Sequence, residues 1–223
     1  MKRVLSVVAF AATTAIASTA MAGFVVEDIP AWRGDTNTLY GGWESFTEAN
    51  FAPNFADVAG SSMGFAGQVY NFSGSAIIAG SGNIYDPGNA LNIHNYVDVS
   101  SFGSIDITDA VINVSTVGTP PDLAGVIFQA VTAAGDTFDL DASSYSTNYV
   151  NEIPGFGVSY NLSWAFDLSG IAGDVTQLAF IIKGTGPHMS LDALSTDIAF
   201  EVPAPGVLAL LGIAGLAGGR RRR

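Results

Sequence analysis

Between residues 23 and 202 the apolar residues come in short runs, and no stretch keeps the 3.6-residue period of an amphipathic helix for long. Clusters of glycine, asparagine, aspartate and serine separate these runs, which is the pattern of strands joined by turns. Eight or nine short strands in one domain predict an all-β fold, an antiparallel β-sandwich of the jelly-roll kind. The candidate strands cover residues 65–72, 76–79, 91–99, 110–117, 125–132, 137–140, 157–168, 176–183 and 189–200.

Three segments of this region differ in composition from the other candidate strands. The runs 176–183 and 189–200 are apolar enough to be central strands of a sheet. The stretch 32–43 is rich in glycine and also holds two tryptophans, which predicts a loop or an edge element.

The first 22 residues have the three parts of a secretory signal peptide. A short positively charged start precedes an apolar run over residues 4–16, and Ala20 and Ala22 then occupy the −3 and −1 positions before Gly23. We therefore expect export and cleavage by signal peptidase after Ala22. The alternative is a buried N-terminal helix.

The C-terminal residues also have a three-part layout. Pro203 and Pro205 precede thirteen apolar residues, 207–219, and a cluster of arginines follows. A helix of thirteen residues is roughly 20 Å long, so it spans a hydrocarbon core of about 30 Å only with residues 202–206 or with local thinning. The arginines favour the cytoplasmic side. The alternative is a core helix with a basic tail. The cluster consists of Arg220, Arg221, Arg222 and Arg223.

This layout on an exported chain resembles the PEP-CTERM sorting signal of Gram-negative bacteria, with Ala204 where that family usually has glutamate. The resemblance implies processing by an exosortase-like enzyme, initial anchoring in the inner membrane, and a place in the cell envelope or extracellular matrix beside exopolysaccharide. The expected organisation is a signal peptide (1–22), a β-sandwich domain (23–201) and a sorting signal with a transmembrane helix (202–223).

The last third of the domain carries a second resemblance. Residues 164–170, 174–180 and 190–194 resemble the closing strands of carbohydrate-binding-module-like jelly rolls, in which the final strand carries an aspartate after an apolar residue. This similarity implies binding of a polysaccharide.

The charge of the domain excludes several partners. Residues 23–202 hold two basic and twenty acidic residues, a net charge of −18. A field of this sign repels the phosphates of nucleic acids and anionic lipids, so we expect neither to bind the folded part.

The sequence also argues against an enzyme. It has no cysteine and no histidine pair at zinc-ligand spacing. The two histidines, His94 and His188, would need a serine and an aspartate nearby in space to form a triad. A glycosidase needs two facing carboxylates, and nothing marks a pair among the twenty acidic residues. We expect no catalytic residues.

Two ligand sites remain as hypotheses. Trp32 and Trp43 lie in the glycine-rich stretch and are the best candidates for exposed aromatics that stack on a sugar. Asp136, Asp139 and Asp141 lie close together in sequence and could supply oxygens to a structural calcium. The alternative for the three aspartates is an acidic, solvated strand edge that prevents aggregation. Other aromatics available for a sugar site are Tyr40, Tyr70, Tyr85, Tyr96, Tyr145, Tyr149 and Tyr160.

The first interpretation is a non-enzymatic envelope or matrix protein with a structural or adhesive role and no cofactor other than that calcium. A carbohydrate-binding module for exopolysaccharide is the second, and a glycoside hydrolase is the third. An aromatic platform on one sheet face would favour the second. Two carboxylates about 5–10 Å apart in a cleft would favour the third.

Overall fold

The computed structural model describes residues 23–103, 105–171 and 173–202. Within these ranges the chain forms strands and three single-turn 3₁₀ helices, and no helix there is long and apolar enough to cross a membrane. The all-β class expected from the sequence is confirmed. The predicted signal peptide and the predicted C-terminal helix lie outside the described residues.

Thirteen strands form within the described residues, four more than the candidate runs. In chain order they are β1 (Thr38–Trp43), β2 (Asn54–Phe55), β3 (Gly67–Asn71), β4 (Ile77–Ile78), β5 (Ile84–Asp86), β6 (Asn92–Asp98), β7 (Asp106–Gly118), β8 (Ile127–Thr132), β9 (Thr137–Asp139), β10 (Ser144–Ile153), β11 (Gly157–Asp167), β12 (Val175–Lys183) and β13 (Met189–Glu201).

The strands form two antiparallel sheets. The seven-stranded sheet runs β10-β11-β7-β13, and beyond β13 two short strands share its free side. β5 pairs with the start of β13, β1 pairs with its second half, and β4 extends the sheet from β5. The six-stranded sheet has the order β2-β3-β6-β12-β8-β9. β12 and β13 therefore lie inside their sheets, which confirms the expectation for the two most apolar runs.

The two sheets pack face to face around one apolar core. The rings of Phe128 and Phe166 stack across the core with their centroids 4.0 Å apart, and Trp164 approaches Phe180 to 5.3 Å. A hydrogen bond between two buried side chains also joins the sheets, in which the Thr196 hydroxyl donates to Asn95 Oδ1 at 2.7 Å. This pairing satisfies two polar side chains inside an otherwise apolar interior.

Residues 23–28 form a strap across the outer face of the seven-stranded sheet. The backbone amides of Val25 and Val26 both donate to Asn161 Oδ1, at 2.9 and 2.7 Å. Asn113 exchanges two hydrogen bonds with the backbone of Asp28, at 3.1 and 3.0 Å. Both asparagines are fully buried, because the strap covers them and supplies their partners.

An ion pair fixes the far end of the strap. Arg33 contacts both oxygens of Asp197, each at 2.6 Å, and also contacts Glu27 Oε1 at 2.6 Å. Burial alone would lower the pKa of Arg33. The hydrogen bonds with the two carboxylates raise this pKa by a larger amount, so the net shift is upward. The fully buried Asp197 on β13 thus has a permanent positive partner.

Candidate functional site

Trp43 does not fit the sugar-stacking role expected for it. Its side chain has no exposed surface, and its indole Nε1 donates to the carbonyl of Asn54 at 3.0 Å inside the core. A buried ring offers no face to a ligand. The glycine-rich stretch that holds Trp43 is an edge strand, β1, rather than a loop, and it is anchored in the core by this ring and by Leu39.

Trp32 lies half-buried in the turn that precedes β1. The three aspartates of the calcium hypothesis, Asp136, Asp139 and Asp141, are all exposed, and Asp139 accepts a hydrogen bond from Gln129 at 2.7 Å. In the part of the chain that the structure describes, no three acidic or histidine side chains are grouped to hold a metal ion. Calcium binding stays a sequence-based prediction.

The sorting-signal residues Pro203, Pro205 and Arg220–Arg223, and the cleavage-site residues Ala20 and Ala22, lie outside the described residues. The structure therefore bears on the domain between these two ends.

The outer face of the six-stranded sheet carries a cluster of aromatic rings. Tyr70 and Phe72 project from β3 and the residue after it, and His94 and Tyr96 project from the neighbouring strand β6. The Tyr70 and Phe72 rings are almost parallel, with an angle of 9° and centroids 5.7 Å apart. Phe72 meets His94 at 4.7 Å, and Tyr70 meets Tyr96 at 5.8 Å. We call these four residues the aromatic face.

Period-two alternation explains why these rings share one side. Val69 on β3 and Asn95 on β6 point into the core, so the residues one or three positions away along each strand point outward. The antiparallel register places Tyr70 opposite His94, which brings the two ring pairs into contact. Phe51, 62% exposed, extends the cluster beside Phe72 at 6.1 Å.

Hydrogen bonds fix the polar ends of these rings. The Tyr70 hydroxyl donates to Gln68 Oε1 at 2.6 Å. Tyr96 Oη and His94 Nδ1 are 2.8 Å apart, and His94 Nε2 lies 3.0 Å from Asn92 Oδ1. Burial and then the positive charge of Lys183 lower the pKa of His94, so its imidazole is neutral at pH 7.

This arrangement suits the binding of a sugar chain. Apolar ring faces pack against the C–H side of a pyranose, while fixed polar groups at the rim pair with its hydroxyls. The aromatic face supplies both, because three phenyl or phenol rings and one imidazole are surrounded by Gln68, Asn92 and Lys183. Because hydrogen bonds already fix the rotamers of these side chains, binding a ligand costs less conformational entropy.

A cleft of about 810 Å³ lies on the opposite sheet, beside β5 and the start of β13. Its polar floor contains Asp192 and Asn83, each only 5% exposed. Asn83 Nδ2 donates to Asp192 Oδ1, and the Ser190 hydroxyl donates to the same oxygen at 3.0 Å. Burial raises the pKa of Asp192 to about 6, and the Ser190 hydrogen bond opposes this increase in part.

Sequence reasoning found these two sites only in part. Tyr70 and Tyr96 were included among the available aromatics, but Phe72 and His94 were not assigned to a site. Their signal is alternation within two paired strands, which becomes visible only when the register is known. The resemblance over residues 190–194 includes Asp192. The contact between Asn83 and Asp192 joins residues 109 apart, so the sequence alone does not reveal it.

No model of a known protein family matches the sequence, and no curated protein matches it.

Proposed function

We propose that this chain is an exported, non-enzymatic protein of the cell envelope or extracellular matrix that binds a neutral exopolysaccharide. In this proposal the domain of residues 23–201 is a jelly-roll-like carbohydrate-binding module, and the aromatic face is its binding surface. The adhesive role expected from the sequence then follows from attachment to the polysaccharide.

The observation that carries the proposal is the aromatic face itself. Four adjacent rings on the outside of a sheet are costly to leave in water unless a partner covers them. Lys183, exposed and close to His94, provides one cation there against a domain charge of −18, so an anionic polymer would be repelled over most of its length. A neutral polysaccharide avoids this penalty.

The cleft on the seven-stranded sheet also fits binding better than hydrolysis. Among the described residues that line the cleft, Asp192 provides the carboxylate and no second acidic side chain is present. Glycoside hydrolysis normally requires a facing pair. The side chains of His94 and His188 are bonded to tyrosine hydroxyls rather than to serine or aspartate.

A co-sedimentation assay with insoluble neutral polysaccharides tests the binding role. We expect the full chain to pellet with at least one polysaccharide, and Tyr70→Ala and Tyr96→Ala to weaken binding by about tenfold, equivalent to 1.4 kcal/mol. Tyr149→Ala, on β10 of the other sheet, is the matched control and should bind as the wild type does. Equal binding by all variants would contradict the role of the aromatic face.

The location rests on the two ends of the sequence. Signal peptidase cleavage after Ala22 and an exosortase-like enzyme acting near Pro203 and Pro205 would deliver the domain to the surface. Replacing Arg220–Arg223 by serine should abolish membrane retention and processing, because no charge then holds the tail on the cytoplasmic side. Mass spectrometry of the mature wild-type protein shows whether the C-terminal tail has been removed. An intact Arg223 on fully secreted protein would contradict the sorting proposal.

A further inference from the structure

The cleft on the seven-stranded sheet has a buried acceptor without a partner. Asn83 Oδ1 is shielded from solvent and receives no hydrogen bond, although the same side chain donates from Nδ2 to Asp192. An unsatisfied buried acceptor destabilises the folded state. Asn83 and Asp192 both line the cleft, so this polar pair lies at its floor.

Asp192 owes its position to a bulge in β13. The pairing of β13 with β7 shifts between Leu191 and Ala193, which leaves Asp192 as the extra residue. Bulges re-aim side chains and often occur beside binding sites. The two hydrogen bonds that Asp192 receives, from Asn83 and Ser190, both end on Oδ1. Within the described residues, Oδ2 accepts none and is free to receive a ligand donor.

The rim and wall of the cleft complement this floor. His188 has a positive φ of 70°, which is uncommon outside glycine, and its ring Nδ1 lies 2.8 Å from the hydroxyl of Tyr85. Strained conformations of this kind concentrate at functional sites. Val117, Ile153 and Phe156 form the apolar wall, and Phe156 is 74% exposed.

The geometry points to a second binding site in this cleft, one that holds a neutral, hydroxyl-rich ring of monosaccharide size. A hydroxyl of the ring donates to Asp192 Oδ2, and the C–H side of the ring packs against Phe156. No lysine or arginine lines the described part of the cleft, so a carboxylated sugar would meet the Asp192 charge without compensation. The inference does not depend on the aromatic face, which lies on the other sheet.

The two histidines of the sequence allow each site to be observed separately. His188 lies at the cleft and His94 lies in the aromatic face, so their ring Hε1 proton signals report one site each. The full chain, without a histidine tag and in a sugar-free detergent, is titrated with glucose, galactose, N-acetylglucosamine and glucuronate. A His94→Gln variant assigns the two signals.

We expect saturable shifts of the His188 signal with at least one neutral sugar, at a dissociation constant of about 1–10 mM, and no saturation with glucuronate. Asp192→Asn and the surface variant Phe156→Ala should each weaken this response about tenfold or more. Because Phe156 is largely exposed, its loss leaves folding intact. Tyr96→Ala should leave the His188 response unchanged.

Three results would overturn the inference. The first is a His188 signal that no neutral sugar moves, and the second is glucuronate binding as tightly as the neutral sugar that binds best. The third is a Phe156→Ala response equal to that of the wild type. A loss of response at His94 alone would count against the aromatic face and would leave the cleft site standing.

Discussion

The indole of Trp43 packs against two glycines that leave room for it. A Cβ atom added to Gly67, on β3 of the facing sheet, would lie 3.0 Å from Cη2 of Trp43 and 3.1 Å from Sδ of Met63. A Cβ atom on Gly41 would approach the same ring to 2.9 Å. Glycine at both positions allows close packing, because the Trp43 ring fills the space that a larger side chain there would occupy.

Gly67→Ala should therefore destabilise the protein by about 1–3 kcal/mol through overpacking. The backbone at Gly67 is extended, with φ −93° and ψ 127°, so alanine adds no backbone strain there. The free energy of unfolding from urea titrations measures the effect. Gly80→Ala is the control, since a Cβ atom at Gly80 would meet nothing within 4 Å. Similar stabilities for the two variants would contradict this account of the core.

Asp192 makes stability depend on pH in a predictable direction. Burial raises its pKa from 3.8 to about 6 in the folded state. Between about pH 4 and pH 6 the folded protein therefore binds more protons than the unfolded chain does, and stability falls as the pH rises through this window. Two pKa units correspond to about 3 kcal/mol at 1.36 kcal/mol per unit.

Asp192→Asn removes this titration. We expect the free energy of unfolding of the variant, relative to that of the wild type, to increase by about 2–3 kcal/mol between pH 4 and pH 7. Burial also raises the pKa of Asp197 to about 6, against the opposing effect of Arg33, but this group is present in both proteins and its effect cancels. Parallel pH profiles for the two proteins would show that the pKa of Asp192 is the same in the folded and unfolded states, which would contradict this prediction.

At the scale of elements, the strap of residues 23–28 is held mainly by side chains of the sheet beneath it. Asn161→Ala leaves the amides of Val25 and Val26 without an acceptor and should cost about 2–4 kcal/mol. Asn148→Ala is the control, because Asn148 makes one longer hydrogen bond, 3.2 Å, to Ser163. Urea titration gives the loss of stability, and hydrogen exchange at Val25 and Val26 shows whether the strap is released.

Unchanged exchange at these two amides in Asn161→Ala would contradict the assigned role of the asparagine.

The strands found from the sequence were those with apolar runs. β12 and β13 are inside their sheets, and continuous apolar residues were enough to predict this. β10 was missed because it is an edge strand in which most side chains are exposed, so the sequence from Ser144 to Ile153 has no apolar face. The sequence predicts a loop or edge element for β1 because Gly41 and Gly42 are residues typical of turns, whereas in the structure Gly41 makes room for Trp43 and Gly42 makes room for Tyr40 and Val58.

The residues of the two proposed sites follow the same division. Composition and spacing identify tyrosines and aspartates, but the aromatic face needs the register of β3 against β6, and the cleft needs a contact between Asn83 and Asp192. Long-range contacts of this kind depend on topology, which local patterns do not specify.

At the scale of the whole molecule, charge favours the same class of ligand at both proposed sites. The aromatic face and the cleft lie on the outer sides of opposite sheets, and the domain carries twenty acidic and two basic residues. Of these two, Arg33 pairs with Asp197 and Glu27. We expect a field of this sign to repel polyanions from both proposed sites, whereas uncharged saccharides would experience no such repulsion.

The most direct test of polysaccharide binding follows the ring proton of His94 while a neutral oligosaccharide is added to the full chain. His94 contacts Phe72 and Tyr96 within the aromatic face, and its imidazole is neutral at pH 7, so its Hε1 signal responds to a ligand rather than to titration. We predict a saturable shift of this signal that Tyr70→Ala abolishes or weakens about tenfold. A His94 signal that stays fixed with neutral oligosaccharides of every available linkage would contradict the account.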